Sequence, residues 1–228
     1  MNSAKINHKV DLQLLQEIQK KLAAGELIVY PTETVWGLGG DIRFAGEQVE
    51  KISKLKGRDS SKAISILVRD IYQVNEYAEI DNRTRELIDL FWPGPLTLVL
   101  KAKLKTEKLG LGIDGFIGLR CSSHRLVREI FKTYEFPIFT TSANRSGEPS
   151  PTSREDVLWL DQDAWIVPWH ERENVKTEQG VSKTATKPVE VAAISQGSTV
   201  IKLDQSGIYL LRQGDLPFSI IEREYKSF

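Results

Sequence analysis

Leu12, Leu15, Ile18 and Leu22 recur every three or four residues between Asp11 and Ala24, which lines apolar side chains along one helix face. Gly25 stops that helix, as a residue free to turn left-handed commonly does. Leu27-Ile28-Val29-Tyr30, bounded by Gly25 and Pro31, reads as a short buried strand. Val49, Ile52 and Leu55 set a second helix over Gly46 to Lys56, and Ala63 to Val68 a second strand. Asp70 is placed to cap the helix that follows. Asp81 to Phe91 forms another helix, stopped by Trp92-Pro93-Gly94-Pro95, which no helix crosses. Leu96 to Ala102 and Phe116 to Cys121 are strands, and Ser122 or Ser123 caps a helix to about Tyr134. Pro137 to Thr141 is a strand, and Ser153-Arg154-Glu155-Asp156 resembles a capping box for a short helix to Leu160. From 170 to 187 the chain is polar and aperiodic, a loop or lid. Glu190 to Ala193, Ser198 to Leu203 and Ile208 to Arg212 read as strands, the last two joined by Asp204-Gln205-Ser206-Gly207 as a hairpin.

Helices and strands interleave throughout, with a strand-rich end, so the pattern predicts one α/β domain built on a twisted mixed sheet. Residues 1–10 form an N-terminal extension, 11–215 the domain and 216–228 a C-terminal tail. No internal repeat or low-complexity tract interrupts the pattern.

Composition narrows the function classes. The 228 residues carry 31 basic and 31 acidic side chains, so the whole molecule lacks the basic field of a general nucleic-acid binder, while a local basic cavity stays open. One cysteine, Cys121, precludes an intrachain disulfide framework and fits a reducing compartment. No apolar run approaches the roughly 20 residues of a bilayer crossing. Met1 to Asp11 has neither a signal core nor transit character. A cytoplasmic protein without a membrane partner is expected.

The candidate chemistry sits where apolar runs end. Pro137-Ile138-Phe139-Thr140-Thr141-Ser142-Ala143-Asn144-Arg145-Ser146-Gly147 passes from strand to a cluster of hydroxyls and an amide. It is either a plain turn or a polar loop at the strand end where α/β sheets bind ligands. Gly37-Leu38-Gly39-Gly40 follows the first strand. It is either a tight strand-to-helix connection or a close approach of backbone to ligand, without the spacing of a dinucleotide or Walker motif. Lys56-Gly57-Arg58 and Lys62 put three cations at a helix end, where they complement the helix dipole or clamp a triphosphate. Arg120 and Arg212 each end an apolar strand. His8, His124 and His170 lack metal-ligand spacing, and there is no nucleophile elbow.

Taken in order, Tyr30-Pro31-Thr32-Glu33-Thr34 with Gly37-Leu38-Gly39, Lys56-x-Arg58, Trp92-Pro93-Gly94-Pro95-Leu96-Thr97, Gly118-Leu119-Arg120 and Thr140-Thr141-Ser142-Ala143-Asn144-x-Ser146-Gly147 resemble the YrdC-like family of threonylcarbamoyl-AMP synthases. The likeness covers about residues 10 to 215 and runs on through Gly197-Ser198-Thr199-Val200 and Leu211-Arg212-x-Gly214. It implies a YrdC-like (dsRNA-binding-like) α/β sheet enclosing a basic cavity. The implied enzyme is a nucleotidyltransferase that joins L-threonine, bicarbonate and ATP, with Mg²⁺, into threonylcarbamoyl-adenylate and pyrophosphate. The product serves the t6A modification of tRNA position 37 through a separate threonylcarbamoyl transfer complex. tRNA itself is a further candidate partner.

Residue by residue, the resemblance puts Thr34, Arg120, Thr140 and Ser198 at threonine, and Arg58, Lys62, Ser142, Ser150 and Arg212 at ATP. Lys56 and Asn144 complete the signature, so Lys56, Arg58, Ser142 and Asn144 form the catalytic set. The departures are Asp59, where a Pro is common, and Leu67, where the two-domain branch has a threonine-binding His. Lys202 stands where an acid is common, and 171–196 diverges most. Two further readings are a paralogue with other carbamoyl or nucleotide chemistry and a non-enzymatic RNA-binding module.

Overall fold

A computed structural model describes residues 10–57, 64–169 and 195–227. The chain enters through α1 (Leu12–Ala23), capped by the Asp11 carboxylate, which accepts from the Gln13 amide. The hairpin of β1 (Ile28–Tyr30) and β2 (Gly37–Asp41) leads to α2 (Ala45–Lys56). Next come β3 (Ser65–Leu67), α3 (Ile71–Tyr77) and α4 (Asn82–Phe91), with Asp70 capping α3 as expected and Asp81, read as the first helical residue, capping α4. After β4 (Leu96–Lys101) come the short α5 (Leu104–Glu107), β5 (Phe116–Arg120), α6 (Arg125–Thr133) and β6 (Ile138–Ser142). A 3-10 helix over Glu155–Leu160 precedes β7 (Trp165–Ile166). The hairpin of β8 (Thr199–Asp204) and β9 (Gly207–Arg212) and then α7 (Phe218–Tyr225) complete the described residues.

The nine strands of the described residues form one mixed sheet in the order β7-β1-β2-β6-β3-β5-β4-β8-β9. Alternation assigns their side chains to two faces. Val29, Leu38, Ile66, Leu98, Leu119, Phe139 and Ile201 join one core cluster with Ile52 of α2, Val74 of α3, Leu87 of α4 and Ile221 of α7. Ile28, Tyr30, Leu67 and Ile138 point the other way, into a second cluster with Leu15, Ile18 and Leu22 of α1 and Leu126, Ile130 and Phe131 of α6.

Three local expectations change. Gly37-Leu38-Gly39-Gly40 is a strand rather than a connection, because β2 runs so close to β6 that a Cβ on Gly39 would lie 2.0 Å from the Phe139 carbonyl oxygen. The cap of α6 is His124, whose Nδ1 accepts from the Leu126 amide, while Ser122 is engaged elsewhere. Residues 216–228, read as a tail, contain α7 with Ile221 fully buried. The capping box at Ser153 is present: the Asp156 amide donates to Ser153 Oγ and the Ser153 amide to the Asp156 carboxylate. The 170–187 loop and the Glu190–Ala193 strand lie outside the described residues.

Candidate active site

Strand register builds the site before any loop is considered. Leu67 pairs with Arg120, Ser65 with Thr140, Val99 with Gly118 and Lys202, Thr97 with Val200, and Val200 with Arg212. Partners in a ladder share a face, so these side chains project together on the face that α1 and α6 cover only at the other end. They line a cavity of about 670 Å³, closed at one side by Thr32, Val35 and Gly37 and at another by the 140–147 segment. Lys56, Arg120, Lys202 and Arg212 face it against one carboxylate, Asp114. Gly118 keeps its floor low: a Cβ there would meet Ser65 Oγ at 2.6 Å.

The 56 and 142 segments, 86 residues apart, are in direct contact. The buried Lys56 ammonium at the end of α2 donates to the Ser142 carbonyl, and the Ser146 amide donates to the Lys56 carbonyl (2.9 Å). Ser142 Oγ donates to Asn144 Oδ1 (2.6 Å), and Asn144 Nδ2 donates to the Glu148 carbonyl (2.7 Å). Asn144 thus fixes the loop that presents the Ser142 hydroxyl. Ser146 lines the cavity, while Arg145 stacks 4.4 Å above the Trp159 ring.

At the sheet floor stands Arg120, buried and the last residue of β5. Its Nη2 donates to Glu33 Oε1 (2.8 Å) and Thr34 Oγ1 (2.9 Å). Glu33 Oε2 also accepts from Ser122 Oγ. Burial pushes the Glu33 carboxyl up. The Arg120 charge and the hydrogen bonds from Ser122 and Arg120 outweigh it and leave the carboxyl below its usual value. The loop carrying Glu33 and Thr34 is folded on Thr32, whose hydroxyl donates to the Val35 carbonyl (2.6 Å) and accepts from the Val35 amide (3.2 Å). Thr140 Oγ1 accepts from the fully buried Tyr30 hydroxyl (2.7 Å), and burial holds that phenol far above its usual pKa.

Arg212 reaches back across the β8–β9 hairpin. Its Nη2 donates to the Ser198 carbonyl (2.8 Å) and to Ser198 Oγ (3.2 Å), and Ser198 Oγ shares a hydrogen bond with Thr97 Oγ1 (2.8 Å). Burial, and then the charge of Arg120, lower the Arg212 pKa. The two guanidinium groups therefore feel each other across the cavity, which favours an anion between them.

Of the residues expected at the site, Lys56, Arg120, Thr140, Ser142, Asn144, Ser198 and Arg212 line this one cavity, and Thr34 touches it through Arg120. Ser150 is half-buried outside its lining. Arg58 and Lys62 lie outside the described residues. Sequence reasoning did not select Glu33, Ser122, Thr97 or Lys202 as site residues. Glu33 stood inside a quoted motif, so its signal was present, but its link to Arg120 spans 87 residues of chain. Lys202 bonds Asp204 (3.1 Å) and sits 3.9 Å from the centre of the Phe116 ring at the cavity's far end. Among the described residues no group of three or more His, Cys, Asp or Glu is placed to hold a metal. Nor is any helix there long and apolar enough to cross a membrane.

Among the described residues, the structure is an α/β domain whose mixed sheet gathers cations and hydroxyls around a cavity. The chain belongs to the Sua5/YciO/YrdC family, whose model, described as "Telomere recombination", matches residues 20–191. It is 26% identical over 220 residues to a putative threonylcarbamoyl-AMP synthase of Methanocaldococcus jannaschii, across 96% of this chain and 94% of that protein. It is 33% identical over 216 residues to the threonylcarbamoyl-AMP synthase of Pyrococcus abyssi, across 92% of this chain and 58% of that protein. The crystal structure of P. abyssi Sua5 complexed with L-threonine superposes with a TM-score of 0.78 at 29% identity, over 95% of this chain and 58% of that one. The chain thus spans nearly all of the first relative and little more than half of the second.

Proposed function

We propose that this domain is an L-threonylcarbamoyladenylate synthase, converting L-threonine, bicarbonate and ATP to threonylcarbamoyl-AMP and pyrophosphate for the t6A modification of tRNA. The observation that carries this reading is the convergence of Lys56, Ser142, Arg120 and Arg212 on one cavity of about 670 Å³, with room and charge for an amino acid beside a triphosphate. Arg120 binds the threonine carboxylate, with the hydroxyls of Thr34, Thr140 and Ser198 around the rest of the amino acid. Lys56, Ser142 and Arg212 face the phosphates, joined by Arg58 and Lys62 from the family pattern.

None of these residues is placed as a covalent nucleophile. Bicarbonate takes up a proton and loses water to give CO₂, and the threonine amine adds to the CO₂ carbon and gives up a proton. The resulting carbamate oxygen attacks the α-phosphorus, breaking its bond to the β,γ-phosphates, which leave as pyrophosphate. The protein's part is to hold the reactants in line and neutralise the departing charge. Mg²⁺ would be carried by the ATP phosphates and water, neutralising phosphate charge, while Lys56, Ser142 and Arg212 hold the phosphates themselves. The product then passes to a threonylcarbamoyl transfer complex and tRNA.

The test is incubation with labelled threonine, bicarbonate and Mg-ATP. The expected result is an adenylate that disappears when any one substrate is omitted. ATP cleavage independent of threonine would replace this reading with a paralogue of other carbamoyl chemistry. Salt-dependent RNA binding without turnover would replace it with a binding module.

A further inference from the structure

Arg120 is held from behind. Nη2 has two N–H groups, and both are taken on the protein side, by Glu33 and Thr34 at 2.8 and 2.9 Å. Glu33 is in turn fixed by Ser122, two residues past Arg120 on the same strand exit. Glu33 is absent from the cavity lining, whereas Arg120 is part of it. The carboxylate therefore reaches a ligand only through the guanidinium.

One detail separates this arrangement from an ordinary structural ion pair. Arg120 Nε is buried and has no hydrogen-bond partner among the described residues. Leaving a buried donor unsatisfied costs about 1–3 kcal/mol, and a purely structural pair gains nothing by retaining that cost. The cost is recovered when an acceptor enters beside Arg120.

We propose that Glu33, braced by Ser122, is a positioning residue that locks the Arg120 guanidinium in the orientation that receives the carboxylate of the amino-acid substrate. This rests on the synthase reading above. It adds that carboxylate affinity is set by a residue the substrate does not touch. Glu33 also offsets the Arg120 charge, which lets Arg120 and Arg212 share one cavity before an anion binds.

The test compares Glu33→Gln, Ser122→Ala and Glu33→Asp with wild type, reading KM for threonine and for ATP, kcat and thermal unfolding. Calorimetric affinities for L-threonine and for L-threoninamide, which lacks the carboxylate, are measured alongside. Glu33→Gln keeps the shape and should raise the threonine KM and dissociation constant about tenfold, as loss of a supporting residue typically does. The ATP KM, kcat and threoninamide affinity should stay within about twofold, and Glu33→Asp should fall between wild type and Glu33→Gln. Added to Arg120→Ala, Glu33→Gln should cost nothing further, because the two act as one unit.

Equal losses for threonine and ATP, whatever the change in melting temperature, would overturn the proposal in favour of a structural pair. A tighter threonine affinity in Glu33→Gln would overturn it in favour of a carboxylate competing with the substrate. If wild type binds threonine and Glu33→Gln binds it equally well, the positioning role alone fails. If wild type binds no threonine, the synthase reading fails and takes this proposal with it.

Discussion

One face of the sheet is used in two opposite ways. Over β1, β6 and β3 it carries Ile28, Tyr30, Ile138 and Leu67, sealed beneath α1 and α6. Over β5, β4, β8 and β9 the same face carries Gly118, Arg120, Thr97, Val99, Ser198, Lys202 and Arg212, with a cavity above them in place of a helix. Leu67 belongs to both, packed into the α1–α6 cluster and lining the cavity. The period-two pattern is identical at both ends. The chemistry of the outward positions decides whether a helix or a ligand covers them. Apolar residues attract a helix, whereas a Gly with hydroxyls and cations leaves a space that only a polar ligand can fill.

Breaking the sealed end should affect folding alone. Phe131 of α6 is 2% exposed, and Phe131→Ala should cost roughly 3–5 kcal/mol of stability, read by chemical denaturation, with kcat of the folded fraction unchanged. Breaking the open end should affect turnover. Lys56→Ala removes a cation that faces the cavity and holds the Ser142 carbonyl. It should lower adenylate formation by about a hundredfold or more while circular dichroism shows a folded protein.

A smaller effect tests the cavity floor. Gly118→Ala places a methyl 2.6 Å from Ser65 Oγ and should raise substrate KM about tenfold by narrowing the space, with little change in melting temperature.

The smallest effect is a pH signature. Glu33 lies below its ordinary value of 4.5, so its ionised form favours the fold. Its contribution is complete above about pH 4.5 and is lost as pH falls through the lower native value. Melting temperatures of wild type and Glu33→Gln plotted against pH should therefore run parallel at neutral pH and draw together only as pH falls below the ordinary carboxyl value.

The sealed end was the more legible half. Helical spacing in α1 and the apolar run of β1 follow directly from side-chain periodicity, and Asp70 caps where a short acidic side chain should. The open end was legible only in part. Arg120 and Arg212 stood out because charges seldom end apolar strands without a purpose, and Thr140 to Asn144 because a strand interior has no use for so many hydroxyls. β2 was not legible as a strand, since three glycines carry little β-propensity and the reason for Gly39 lies in the Phe139 carbonyl across the ladder. The α6 cap is His124, while Ser122 just before it donates to Glu33 and accepts from the His124 amide, a long-range tie invisible in local sequence. Phe218, Ile221 and Tyr225 repeat at helical spacing, yet 216–228 reads as a tail in the sequence, and α7 is seen only in the structure.

The strand order has a consequence for how the protein matures. β4 pairs with β8, about a hundred residues later, and the cavity wall is finished only when the β8–β9 hairpin brings in Ser198 and Arg212. Contacts so distant in sequence form late, after the loop entropy between them has been overcome. A chain that has been made as far as β6 already owns Lys56, Arg120 and Ser142, yet it cannot hold a ligand between two guanidinium groups. Binding thus reports completion of the sheet. A ligand that fills the cavity should slow unfolding of the finished protein while leaving the early steps of folding unaided.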